Sequence, residues 1–280
     1  MHSRGGARKQ VMKLSFLKHF ETSAGAQSPV FIFAASSRTG STLLQRVVLA
    51  SSEVFIWGEP RFLGQAQKLH SRMIEISDLP GQTVSNLKSI PSGAWIPTIF
   101  PDKQRVRRAL AGMFLDLYWD EPNAAGYKRW GFKEVRANAV KAAQFMHELF
   151  PDCRFLFLVR HPMDTYLSIR NKKFFKEFSG PYAPVDAWAE NAAGFVDITA
   201  RNTLPAILIR YEDLVGDMTK SGETVRKVCA HLRIKETPAM QREVQVKSGD
   251  SSFAYQLTAA DRLEVMNRTR DVAGRLGYEF

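Results

Sequence analysis

Two short stretches of this chain concentrate side chains suited to gripping anions, and single residues elsewhere could do acid–base work beside them. The first stretch is Ser36-Ser37-Arg38-Thr39-Gly40-Ser41-Thr42, between the apolar run 30–35 and the helix-like segment 41–50. Where a strand turns into a helix, free backbone N–H groups and the helix dipole make a seat for an anion. Gly40 permits close backbone approach, Ser41 and Thr42 offer hydroxyls, and Arg38 supplies a forked cation. An ordinary loop with a helix cap uses the same residue types, so a second signal is needed. A kinase-type loop would carry Gly-Lys-[Ser/Thr], with the lysine on the terminal phosphates. Here Ser41 takes the lysine's place, which argues against γ-phosphoryl transfer while leaving a phosphate cradle intact.

The second stretch is FLFLVRHPMDTYLSIRNKK, with Arg160 at the end of a predicted strand and Ser168 eight residues later on the next helix. Both can face one phosphate, since a guanidinium backed by a hydroxyl suits that group. Together the two stretches resemble the sulfotransferases that use 3′-phosphoadenosine 5′-phosphosulfate (PAPS). The resemblance implies that Arg38, Thr39, Gly40, Ser41 and Thr42 hold the 5′-phosphosulfate and that Arg160 and Ser168 hold the 3′-phosphate. It adds three further nucleotide contacts: Lys172 one turn beyond Ser168, Tyr211 in RYEDL, and Ser251 in the late polar loop 248–252.

Catalytic groups differ within that family. Lys133 in Gly131-Phe132-Lys133-Glu134-Val135 matches a strand-borne lysine, but Val135 stands where cytosolic small-molecule enzymes place a histidine base. Trp57-Gly58-Glu59-Pro60 instead resembles the glutamate-bearing segment of tyrosylprotein sulfotransferases and bacterial relatives, which implies Glu59 as general base. Lys133 would then face the oxygen bridging sulfur and phosphate. The bland alternatives are a Glu59–Arg61 pair and a pairing of Lys133 with Glu134 or Glu59. The terminal LGYEF also resembles the tyrosylprotein enzymes. The likeness runs in outline over 30–280 and is thin over 62–128, where acceptors are chosen.

These residues need elements to position them. Strands are expected at 30–35, 129–133, 155–159 and 206–210, and helices at 137–150, after His161-Pro162 and at 217–232. Alternating strands and helices predict an α/β fold with a mainly parallel sheet flanked by helices, of the P-loop-like nucleotide-binding kind the resemblance implies. Such sheets bind ligands at the carboxyl ends of their strands. The Gly-, Pro- and Ser-rich stretch 77–101 is expected to be a loop or lid on the acceptor side. Residues 1–28 read as a basic extension and 29–280 as a single domain.

Composition sets the outer bounds. The 280 residues are 45% hydrophobic and 24% charged, so the chain is too apolar to be disordered. The formal charge is +11; residues 1–28 account for +4 (five Lys and Arg against Glu21), leaving +7 on the remainder. That surplus favours an anionic ligand. Two cysteines outside any CxxC or Cys/His cluster exclude a disulfide framework and a zinc finger in pattern, and read as core thiols. HExxH, GxSxG and GxGxxG are all absent from the sequence. No apolar run approaches the ~18 residues of a membrane span. Without a signal-like leader, a cytoplasmic location is expected. The expected reaction transfers a sulfuryl group from PAPS, leaving adenosine 3′,5′-bisphosphate (PAP), to a hydroxyl, or less readily an amine, of a small molecule, glycan or peptide. No metal is expected, nor a nucleic-acid partner, and a homodimer is left open. The rival readings are an atypical kinase using ATP and magnesium and a basic nucleic-acid-binding module without chemistry.

Overall fold

The computed structural model describes residues 24–79, 83–84, 100–136, 138–171, 179–245 and 255–280. The chain enters through α1 (Ala24–Gln27) into β1 (Val30–Ala34), and α2 (Ser41–Leu49) leads on to β2 (Val54–Trp57). Then come α3 (Leu63–Ser77), the short β3 (Thr83–Val84) and β4 (Phe100–Pro101), α4 (Lys103–Tyr118), α5 (Asp120–Ala124) and β5 (Arg129–Glu134). The second half holds α6 (Ala139–Leu149), β6 (Arg154–Val159), α7 (Pro162–Arg170), α8 (Ala183–Arg201) and β7 (Ala206–Arg210). It closes with α9 (Tyr211–Leu214), α10 (Met218–Leu232), α11 (Pro238–Gln245) and α12 (Ala259–Arg275).

Five strands form one parallel sheet in the order β2-β5-β1-β6-β7. The four strands expected from the sequence are all in it, and β2 completes one edge. Both faces of the central strands are covered, which is why they read as unbroken apolar runs rather than alternating ones. The pleat sorts side chains to two layers. Phe31, Phe33, Trp130, Phe132, Phe155 and Phe157 face α4, α6 and α8, whereas Val30, Ile32, Ala34, Leu156 and Leu158 face α2 and α10. The aromatic layer is tightly stacked, with the Phe157 and Phe195 rings 4.2 Å apart. Truncating such a ring to alanine costs about 3–5 kcal/mol, so this layer holds the sheet rigid beneath the site. Cys153 and Cys229 are both buried and unpaired, in keeping with core thiols.

Parallel strands share one carboxyl edge, and the segments leaving it converge there: 35–40 after β1, 58–62 after β2, 135–136 after β5 and 160–161 after β6. Local sequence sets these exits. His161 caps α7 through a bond from Met163 N, and Pro162 sits at the first helical turn, where its missing N–H is harmless. Asn138 caps α6 by accepting from Lys141 N, and Asp217 caps α10. Within the stretch expected as one long loop, β3 and β4 pair in parallel at Thr83 and Phe100, the rest of 80–99 lying outside the described residues. Lys172 and Ser251 also lie outside them, as does most of the basic extension. Among the described residues no helix is long and apolar enough to cross a membrane.

Candidate active site

The loop after β1 is built to expose its backbone. Ala35 N continues the sheet by donating to Leu158 O at 2.9 Å, and the fully buried Thr39 then closes the loop by donating from Oγ1 to Ser36 O at 3.0 Å. The Thr39 hydroxyl therefore faces inward, leaving its backbone N–H as the group available to a ligand. Arg38 and Gly40 both adopt left-handed backbone, at φ 66° and 93°. Gly40 stands at the start of α2, whose first N–H groups lack intrahelical partners. Only glycine fits there. A Cβ at residue 40 would lie 2.2 Å from Cδ2 of Tyr211 as well as carrying the positive-φ strain.

That ring joins the two sequence-predicted anion seats. The Arg160 guanidinium carbon lies 4.7 Å from the Tyr211 ring centre, and Arg160 Nη1 donates to Arg38 O at 3.3 Å. Arg38 Nε in turn donates to Ser168 Oγ at 3.2 Å, on a serine that is only 3% exposed. Residues 130 positions apart are thus one network. Among the described residues, the ion pairs involve neither Arg38 nor Arg160. Arg160 Nε and Ser37 Oγ are buried without a hydrogen-bond partner among the described residues.

The candidate acid–base residues sit on neighbouring strands. Trp57 of β2 is in register with Phe132 of β5, so Glu59, two residues beyond β2, comes beside Lys133. Lys133 Nζ donates to Glu59 Oε1 at 2.7 Å, and Arg136 Nη1 lies 3.1 Å from Oε2. Of the alternatives posed by the sequence, the Lys133–Glu59 pair forms, and Glu59 pairs with Arg136 rather than Arg61. Lys133 and Glu59 are 12% and 18% exposed, against 56% for Arg136. Glu134 turns back instead to accept from Val135 N and Arg136 N at 2.7 and 2.6 Å, fixing the turn that presents Arg136. Trp57 belongs to the core: its indole donates to Tyr118 O at 2.8 Å and its ring packs against Phe55.

The loop after β1 and the Lys133–Glu59 pair open on a cleft of about 600 Å³ lined by Ser37, Arg38, Ser41, Thr42, Glu59 and Lys133, with Val135, Arg136, Asn138, Glu190 and Asn191 among the rest of its wall. Asn191 is a cleft residue that the sequence does not single out. It is 5% exposed, donates to Ala35 O at 3.0 Å and accepts from Ala139 N at 2.9 Å, tying the anion loop to α6. Its signal was one amide within the apolar stripe of Trp188, Ala192 and Phe195.

Two clamps brace the Arg160 side. Tyr278 of LGYEF donates to Glu212 of RYEDL at 2.8 Å, and the other Glu212 oxygen accepts from His161 N at 2.8 Å. Burial first, and then Glu212, push the Tyr278 hydroxyl far above the usual phenol range, so it stays a donor. The other clamp is Asp261, which accepts from Tyr166 at 3.4 Å, Tyr182 at 3.3 Å and Tyr255, and closes the capping box of α12 with Thr258. Burial opposes its charge, but the bonds from Tyr255, Thr258 and Tyr182 outweigh that and hold its carboxyl at about 2. Tyr166 lies on α7, the helix that carries Ser168, so Asp261 steadies that serine at one remove.

Comparison with known proteins places these features. The sequence model described as "Sulfotransferase family" matches residues 29–238. Comparison with the curated proteins finds no match. Among solved structures, the sulfotransferase domain from the curacin biosynthetic pathway matches at 20% identity and a TM-score of 0.53, over 90% of this chain and 98% of that one. The sulfotransferase domain from the Synechococcus PCC 7002 olefin synthase matches at 16% identity and 0.53, over 90% and 96%. At these identities the likeness is one of fold.

Proposed function

The chain belongs to the sulfotransferase family, and on that premise we propose that its cleft takes PAPS between Gly40 and Arg160 and passes the sulfuryl group to an acceptor hydroxyl whose proton goes to Glu59. Family and fold support sulfuryl transfer in general; the donor and the base are inferred from the site. The observation that carries this reading is the pair of sequence-predicted anion seats bridged by Tyr211, of which the loop before Gly40 opens on the same cleft as the Lys133–Glu59 pair.

The residues divide the work. Backbone N–H groups at the start of α2, with Ser41 and Thr42, hold the 5′ end, while Arg160, Arg38 and Ser168 hold the 3′-phosphate. Arg160 brings an unpartnered Nε to that task. The acceptor oxygen bonds to sulfur as the bond from sulfur to the bridging oxygen breaks, the electron pair leaving with PAP. Lys133 stabilises the charge that collects on the bridging oxygen. Its ammonium has three donors, so the bond to Glu59 leaves two for substrate. Glu59 accepts the acceptor's proton and releases it to water.

Thermal unfolding with added ligands tests the donor assignment. A ligand bound only by the folded state at a hundred times its Kd adds about 2.7 kcal/mol of stability. PAP is expected to raise the Tm and ATP with magnesium to leave it unchanged; stabilisation by ATP and magnesium alone would overturn the assignment in favour of a kinase. Incubating the protein with labelled PAPS and candidate small-molecule, glycan and peptide acceptors then names the acceptor class.

A further inference from the structure

At the opposite edge of the sheet, where the strands begin, three arginines converge on a second cavity that the proposed reaction does not use. Arg129 opens β5, Arg154 opens β6, and Arg233 ends α10. All three line a cavity of about 450 Å³, together with Ser28, Asp152 and Cys153 among others.

A structural task explains only one of the three. Arg129 donates from Nε to Ser28 O and from Nη1 to Leu232 O, both at 2.6 Å. In doing so it neutralises the carbonyl end of α10, a normal place for a cation. Its Nη2 is buried with no partner. Arg154 and Arg233 make no side-chain hydrogen bond or ion pair with any described residue. Arg233 also adopts a left-handed backbone conformation, at φ 56°, where helix ends commonly place glycine and a side chain adds strain. Ending α10 thus gives no reason for an arginine here.

The charges are close enough to act on one another. Burial, and after it Arg154, lower Arg129 to about 10, and burial followed by Arg233 lowers Arg154. Burial and then Arg154 push His231 down to about 4, so this histidine adds no charge near neutrality. Against three guanidiniums the cavity lining offers one carboxylate, Asp152, and Glu53 acts on Arg129 from beyond the lining, so the lining itself carries an excess of positive charge. Arg129 and Arg154 are partly buried, with Arg233 exposed beside them, and like charges that are partly buried are normally matched by counter-charge. A guanidinium fork matches the edge of a tetrahedral oxyanion.

We propose that this cavity is a second anion site, which takes a dianionic tetrahedral oxyanion on Arg154 and Arg233 with Arg129 fixed behind them. The ligand is inorganic phosphate or sulfate, or the terminal group of a phosphomonoester, for whose organic part the cavity has room. The proposal does not depend on the reaction assigned to the cleft.

Inorganic phosphate is titrated calorimetrically, in low-salt buffer free of other oxyanions, into wild type, Arg160→Gln, the double variant Arg154→Gln/Arg233→Gln, and Arg233→Gly. Wild type and Arg160→Gln are expected to share a binding event that the double variant weakens by about tenfold or more, a factor of ten corresponding to about 1.4 kcal/mol. Arg233→Gly controls for folding. Glycine suits the left-handed position, so its Tm without ligand should equal or exceed that of wild type while its phosphate response falls. A double variant that titrates like wild type, or a glycine variant with undiminished affinity, overturns the site. Glucose 6-phosphate and inorganic sulfate, run in parallel, separate the sources: tighter binding of the ester points to a phosphomonoester, and equal or weaker binding to the free ion.

Discussion

The two halves of the cleft hold their cations in opposite ways. On the acid–base side, Lys133 and Arg136 close on the two oxygens of Glu59, so both cations face a counter-charge before any substrate arrives. On the anion side, Arg38 and Arg160 reach a hydroxyl, a backbone carbonyl and the Tyr211 ring, and no carboxylate among the described residues. An unmatched charge is costly when fully desolvated and tolerable where water still reaches it. Arg38 is exposed and Arg160 partly so. The contrast suggests a division of labour, in which one half waits for a proton and the other for a negative charge. Substitutions in the first should therefore lower rate and those in the second should lower affinity.

The largest expected effect tests that division directly. Glu59→Gln keeps the shape of the side chain but removes its basicity. It should slow transfer by about 10²-fold or more while the Kd for PAP, read by calorimetry, stays within about twofold. Arg160→Ala should do the reverse, weakening PAP by about tenfold while the rate at saturating donor falls much less. If Glu59→Gln turned over at the wild-type rate, or both variants lost affinity alike, the two halves would not be separate devices.

A smaller effect is expected beneath the anion half, at Asp261. Its folded carboxyl lies at about 2 against an ordinary value of 3.8. The depressed value means that its contribution to stability is fully present above about pH 4 and is lost as pH falls through about 2. The size is about 2 kcal/mol by linkage. Asp261→Asn should therefore lower the urea-unfolding stability by about that much at pH 7, and the gap from wild type should close as the pH approaches 2. A gap that stayed constant down to pH 2 would show that the charge is not the source.

Much of the frame was legible in the sequence because both faces of the central strands are buried, so 30–35, 155–159 and 206–210 stand out as apolar runs between polar breaks. That Arg38, Arg160 and Ser168 come together was legible because strand-to-helix junctions carry them at short, recognisable spacings. What stayed hidden depends on contacts across long separations. Besides the ligand contact that the resemblance implies for Tyr211, its ring packs on Gly40 and Arg160, a contact only the folded chain discloses. RYEDL and LGYEF were each noticed, but nothing in either says that Tyr278 bonds Glu212. The helices α8 and α12, with Asn191 and Asp261, went unread because their functional polar residues interrupt the apolar pattern by which a buried helix is recognised. Arg136 was passed over because one strand-end arginine carries no spacing signal.

Arg136 gives the smallest expected effect and the sharpest boundary. Its pairing with Glu59 is solvent-exposed, and exposed pairs contribute about 0–1 kcal/mol. Glu59 keeps its shorter bond to the well-buried Lys133 when Arg136 is removed. Arg136→Ala should therefore leave stability within about 0.5 kcal/mol and kcat within about fivefold of wild type. Any change should fall on the KM of the acceptor, because Arg136 lines the cleft outside the anion network. A loss of about 10²-fold in kcat, with PAP affinity intact, would instead place Arg136 beside Glu59 in the chemistry. The matched half of the cleft would then be a three-residue device that needs both of its cations.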